Sequence, residues 1–335
     1  MASYMVGAMS DLAVLYSALG SRDECLLRDV AQNVLSPAVH WHIAHPINNL
    51  HGVAAVLDDF LLPLQTALPD LERRAFIHLP GKSNNDHWLA ETGYFTGTFT
   101  HPLWGIPPTG KTLYLRYTEL VRIDAGQVTE CYLLPDFLDA MIQAGCYPLR
   151  QPLGHPGLVM PPASGDGLCR PFDSLSDDAQ KHSASSLQLV MDMLDGLRRY
   201  DRQSLTSMDL EKYWHQDFMW YGPGGIGTTR GISGFRAHHQ GPFLQAFPDR
   251  DVDHHACTVA SGDYVATGGW PHMHGTHSGG GWLGLPPSGQ HLELRVMDIW
   301  RREGALLKEN WVAIDIPHML DQMGLDVFEQ MHSII

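Results

Sequence analysis

The chain is short of positive charge, of paired cysteines and of long apolar runs, and each shortage removes a class of function. Its 335 residues carry 22 Lys and Arg against 37 Asp and Glu, a formal net charge of −15. A body this acidic repels phosphate backbones and anionic lipid, so no nucleic-acid partner and no membrane partner are expected. Five cysteines (Cys25, Cys131, Cys146, Cys169 and Cys257) are odd in number and scattered, with no C-x-x-C pair. That spacing supplies neither a disulfide framework nor a thiolate zinc site. The longest apolar runs, such as 53–57 and 60–64, fall far below the ~20 residues that span a bilayer. No basic start followed by an apolar block is visible, so the sequence predicts no secretory signal and a reduced, cytoplasmic protein. The stretch GPGGIG at 222–227 lacks both the spacing and the βαβ setting of a dinucleotide site.

What is present is repetition. Trp41 recurs as Trp220, Gly52 as Gly231, Pro63 as Pro242 and ALPD at 67–70 as AFPD at 246–249, each 179 residues on. After small length changes the register returns, with GIPPTG at 105–110 matching GLPPSG at 284–289 and Glu130, Asp136 and Gly145 matching Glu309, Asp315 and Gly324. A register held that long marks a duplicated domain. The predicted units are residues 1–148, a Pro/Gly/Ser-rich linker over 149–186, and residues 187–335. Each copy reads as an opening helix (about 9–20 and 187–200), a short segment to the Trp, and a helix broken at Pro63 or Pro242. Three or four strands follow, and a last helical turn stops at Gly145 or Gly324. Helices gathered ahead of a run of strands indicate an α+β fold.

Side chains alternate faces along a strand. LELRVMDIW therefore puts Leu292, Leu294, Val296, Asp298 and Trp300 on one face, and copy one aligns Leu113, Leu115, Tyr117, Glu119 and Val121 in the same way. Each apolar stripe thus contains one carboxylate. Burying it unpaired costs several kcal/mol, roughly, unless it finds a partner or takes up a proton. A raised carboxyl pKa suits acid–base chemistry near neutral pH. A structural role, bonded to an Arg, a Tyr or backbone N–H groups, is the competing reading.

PFLQAFPD at 242–249, GTHSGGGWLGLPPSGQ at 275–290, RVMDIWRREGALLKENWVAID at 295–315 and LDQMG at 320–324 together resemble the SnoaL-like polyketide cyclase family. That family belongs to the nuclear-transport-factor-two-like superfamily. Copy one is similar from LQTALPDL through GIPPTGK to MIQAG. The resemblance implies two tandem cone-shaped α+β barrels, each a curved antiparallel sheet wrapped round helices and open at one end. It also implies an intramolecular aldol cyclisation with no metal or cofactor, run by an Asp and a His. Those family positions fall on Val312 and Asp298 here, and on Leu133 and Glu119 in copy one. The superfamily also holds isomerases, dehydratases, epoxide hydrolases and small-ligand binders, and fold alone does not choose among them.

The candidate catalytic residues are Asp298, His277 and His239, the last on the inward stripe with Phe235 and Phe243. Candidate substrate contacts are Trp220, Tyr221, Phe243, Trp270, His272, His274, Trp282, Val296, Trp300 and Val312. Glu119, Trp41 and Tyr117 would line the pocket of copy one. His272 and His274 share strand parity, and a two- or three-histidine metal site stays open as an alternative, although His277 has the other parity; no metal is expected. A scaffold without catalysis is a further alternative. Outward Leu120, Ile299 and Trp311 need cover, which predicts that the copies pack through their outer sheet faces as a pseudo-dimer within one chain. The predicted partner is an apolar, carbonyl-bearing small molecule.

Overall fold

The computed structural model describes residues 12–169, 175–253 and 255–334. The chain forms two tandem α+β cones. In the first, strands β1 (Leu35–Ile43), β2 (Asn49–His51), β3 (Glu72–Ser83), β4 (Asp86–Thr98), β5 (Thr112–Asp124) and β6 (Gln127–Pro135) make one sheet, ordered β2-β1-β6-β5-β4-β3. The second contains β7 (Trp214–Tyr221), β8 (Thr229–Arg230), β9 (Asp251–Val252), β10 (Cys257–Ser261), β11 (Tyr264–Thr276), β12 (His291–Glu303) and β13 (Leu306–Ile314). Its order is β10-β11-β12-β13-β7-β8, with β9 paired to β11. The repeat extends to register. Glu119 pairs with Leu133 across β5 and β6, and Asp298 with Val312 across β12 and β13.

Helices close the inner side of each sheet. Copy one opens with a helix over 12–20, followed by a second helix, Glu24–Val34, where the sequence predicts only a short segment. That second helix buries Leu27, Ala31 and Val34, spaced to share one face, and Asp23 caps it by accepting from the Leu26 N–H. In copy two the opening helix starts at Asp177, ten residues inside the expected linker, because Ser176 caps it and two aspartates fill its first turn. Neither proline breaks its helix. Each helix continues through a π turn just before the proline, at Leu57–Leu61 and Arg236–Gln240. The wider turn removes the demand for the N–H that proline lacks, and it recurs at the same offset in both copies.

The outer faces of the two sheets meet. Leu120 and Ile299 are buried there, and a Cβ on Gly268 would lie 2.5 Å from Leu120 Cδ1, so any larger residue would push that side chain aside. Equivalent residues make reciprocal contacts. Asp136 accepts from the Gly224 N–H at 2.8 Å, while Asp315 accepts from the His45 N–H at 3.1 Å. Arg116 donates to the carbonyls of Gly222 and Val312, and its counterpart Arg295 donates to the Asn48 side chain. The Pro/Gly-rich stretch is knitted into both copies rather than loose. The Gly154 N–H reaches the Ile226 carbonyl, Tyr94 Oη donates to the Val159 carbonyl, and Trp311 Nε1 donates to the Met160 carbonyl. Among the described residues no helix is long and apolar enough to cross a membrane.

Candidate functional site

The second cone encloses a cavity of about 150 Å³, enough for a molecule the size of a small aromatic ring. Its floor is the inner face of β12 and β13, where Leu294, Val296, Asp298 and Trp300 alternate inward beside Asn310, Val312 and Ile314. Trp214 and Trp220 of β7 form one wall. The π-turn helix supplies Phe235, His239 and Phe243, and the opening helix supplies Met193, Leu194 and Leu197. Arg198, Arg250, Asp251, Val252 and His272 also line it.

Asp298 is the one carboxylate on that floor. It is surrounded by protein yet partly accessible through the cavity. Burial pushes its carboxyl up to about 7, and one hydrogen bond, from Asn310 Nδ2 at 3.1 Å, pulls the other way. The same amide donates to the Ile299 carbonyl at 3.2 Å, which fixes its orientation. The partner is an amide from the next strand, not an Arg, a Tyr or a backbone N–H group. Alternation along β13 puts Asn310 on the face of Val312 and would have found it.

His239 stacks on Trp220, with ring centroids 4.1 Å apart and planes 17° apart, and lies between Phe235 and Phe243. Burial drags its imidazole down to about 3, so it stays neutral at any physiological pH. Its Nδ1 is shielded and has no partner, which leaves Nε2 for a ligand.

Of the residues proposed from sequence, the structure gathers Asp298, His239, Trp220, Phe243, His272, Val296, Trp300 and Val312 at this cavity. Five others lie elsewhere. The His277 Nδ1 accepts from the Ser288 N–H at 3.2 Å and its ring stacks on Phe247, so it pins the 278–289 loop outside the cavity. Trp282 packs on Phe247 beside it. Trp270 lies between the copies, under the guanidinium of Arg295 at 4.4 Å and near His42 and Tyr132. Tyr221 stacks on Trp311, also between the copies. His274 pairs with Asp253 at 2.8 Å, away from the cavity. The physical reason is a register shift on β11 between Gly269 and Met273, which separates residues that simple alternation places together. Among the described residues no group of three or more His, Cys, Asp or Glu is arranged to hold a metal.

In copy one the carboxylate is enclosed by side chains that answer it. Glu119 is fully buried and takes hydrogen bonds from Tyr16 Oη at 2.5 Å and from Arg73, which also pairs with Glu91; Glu91 in turn meets His78. Burial pushes Glu119 up to about 8 against the pull of Arg73. Burial also acts on Glu91, but Arg73 and His78 outweigh it and hold that carboxyl well below the usual range. Trp41 packs on Phe60, and Tyr117 on Phe95 with Arg73 over its ring.

The sequence profile of the SnoaL-like polyketide cyclase family matches residues 15–144 and again 191–323. Solved structures similar to this chain include a SnoaL-like protein from Jannaschia sp. CCS1, at 20% identity, covering 41% of this chain and 90% of that one, with a TM-score of 0.35. IdmH from Streptomyces antibioticus (19% identity, 41% of this chain, 98% of its own, TM-score 0.34) is another. A third is an NTF2-like protein from Burkholderia xenovorans LB400, at 17% identity, 42% and 97% coverage and a TM-score of 0.33. No curated protein matches the chain. The chain belongs to the SnoaL-like polyketide cyclase family and carries that family's domain twice.

Proposed function

We propose that the second cone is a cofactor-free acid–base site that acts on an apolar small molecule bearing a carbonyl group, by cyclisation, isomerisation or dehydration. The observation that carries this reading is Asp298, a carboxyl held near 7 by an apolar cavity that a ligand can enter. About half of it is ionised at neutral pH, the poise at which a base is both present and strong enough to act. The ionised form takes a proton from the carbon beside the carbonyl, which leaves an enolate and a neutral Asp298. The His239 Nε2 is the nearby neutral donor for the enolate oxygen; an imidazole held neutral by burial can serve that way. Asp298 then returns the proton to another carbon, or to the oxygen formed when the enolate attacks a second carbonyl. The first cone, on this reading, stands in for the second subunit of a homodimer.

Deuterium incorporation at the α carbon of 2-tetralone, an apolar ketone, tests the site in heavy-water buffer. Asp298→Asn preserves shape, and it should slow exchange by about a hundred- to ten-thousand-fold with little change in melting temperature. Undiminished exchange in that variant would sink the assignment. Val312, at the family's aspartate position, favours one alternative, a cavity that binds without turnover. Wild-type protein that binds 2-tetralone and exchanges no deuterium selects it.

A further inference from the structure

Two arginines line the cavity; Arg198 is exposed and its Nη2 donates to the Val252 carbonyl at 3.2 Å, whereas Arg250 is set deeper into the wall. Arg250 follows AFPD immediately before β9 and is half-buried. Its Nη2 donates to the Leu197 carbonyl at 3.2 Å, and among the described residues no carboxylate reaches it within ion-pair distance. The adjacent Asp251 also lines the cavity, and its carboxylate accepts from the Val252 N–H at 2.8 Å rather than pairing with Arg250. A guanidinium carries five donors, so Arg250 keeps most of its hydrogen-bonding capacity unspent. Leaving a charge partly desolvated and unpaired is costly, and here burial pulls the group down, with Tyr200 and Asp251 opposing only from a distance. In copy one the equivalent residue is Leu71, in the cone whose carboxylate is enclosed by side chains. The arginine thus occurs in the copy with the open cavity, in a chain with an excess of acids everywhere else.

We propose that Arg250 is the anchor for a carboxylate on the ligand, so that this cavity takes apolar small-molecule acids, with the acid group at Arg250 and the aliphatic or aromatic body against Trp220 and Phe243. The assignment rests on the acid–base reading of this cavity and names its substrate class. A planar, two-pronged guanidinium matches a carboxylate in geometry as well as charge. The anchor also orients the ligand. It holds the acid group at the β9 wall, while Asp298 on the floor repels a second anion and is left to face the apolar, carbonyl-bearing part.

Calorimetric titration at low salt with 4-phenylbutanoate and its neutral isostere 4-phenylbutanamide tests the anchor. The carboxylate should bind at least about tenfold more tightly than the amide, as for a charge-assisted pair in a partly desolvated site. Arg250→Met keeps the apolar stem and should erase that preference while leaving the amide affinity close to wild type; Arg250→Lys should retain part of it. Equal affinities in the wild type overturn the proposal, and so does a preference that survives Arg250→Met. Failure of both probes to bind overturns it as well. The wild-type preference decides alone if the methionine variant does not fold. 2-Tetralone carries no carboxylate, so its exchange reports on Asp298 separately and the two readings fail independently.

Discussion

In the first cone Arg73 reaches Glu119 and Glu91, Phe60 fills the space beside Trp41, and Cys131 lies on the neighbouring strand. In the second cone, 179 residues on, the same positions hold Val252, His239 and Asn310 around Asp298. Both sheets bury a carboxyl group at the same register, and in both burial pushes it up. What differs is the surroundings. The first carboxyl is part of a network that answers its charge and fills its volume; the second has a single amide donor and faces open space. A buried acid is therefore not reactive by position alone. The residues opposite it decide whether it stabilises a fold or waits for a ligand.

Converting one cone to the other breaks this comparison most directly. Val252→Arg places the arginine of copy one into the cavity of copy two. It should occupy the space, pair with Asp298 and hold its carboxyl below the present value of about 7. Exchange of 2-tetralone should then fall about a hundred- to ten-thousand-fold, as far as with Asp298→Asn, while circular dichroism shows a folded chain. Exchange that persists at the wild-type rate would mean that the two interiors are not interchangeable in the way proposed.

The reverse change in the first cone should act on stability. Arg73→Met leaves Glu91 beside His78 alone and Glu119 beside Tyr16 alone, and removing one partner of a buried ion pair costs roughly 3–5 kcal/mol. Urea unfolding should report a loss of that size, with exchange normalised to folded protein unchanged. A loss below about 1 kcal/mol, the range of exposed pairs, would show that the network is not a stabilising plug.

Much of this contrast was legible in the sequence, and the remainder depends on contacts between distant segments. The duplication, the strand alternation and both carboxylates follow from register and parity, because each strand is long and two-faced. The helix Glu24–Val34 was also readable, since Leu27, Ala31 and Val34 repeat at helical spacing. Asn310 needed only the alternation argument extended to the last strand. Arg73 is different. It reaches Glu119 from another strand, 46 residues away, and no local pattern says that its side chain turns inward. The aromatic residues misled for a related reason. Trp270 and Tyr221 are apolar where the copies meet, and Trp282 where it supports a loop, so their character was genuine and their location was not encoded locally. In the histidine-rich stretch parity puts His272 and His274 on one face, and a register shift on β11 separates them, with His272 at the cavity and His274 paired to Asp253 outside it.

The smallest expected effect concerns the one bond that Asp298 does make. Asn310→Cys installs the copy-one residue and removes the Nδ2 donor. That donor favours the ionised carboxylate, so its loss should raise Asp298 above its present value of about 7. A hydrogen bond to a charged group is worth about 1.5–3 kcal/mol, or about one to two pH units. Turnover needs the ionised base, so the rising limb of the exchange rate should move up by that amount. Stability has its own sign. A carboxyl raised in the fold keeps a proton that the unfolded chain releases near pH 4, roughly, so stability falls as pH rises between the two values and is level beyond them. For the wild type that decline ends near pH 7; in Asn310→Cys it should continue to higher pH, and in Asp298→Asn it should lose this component altogether. A rate limb and a stability limb that both stay where they are in Asn310→Cys would mean that the titrating group at this site is not Asp298.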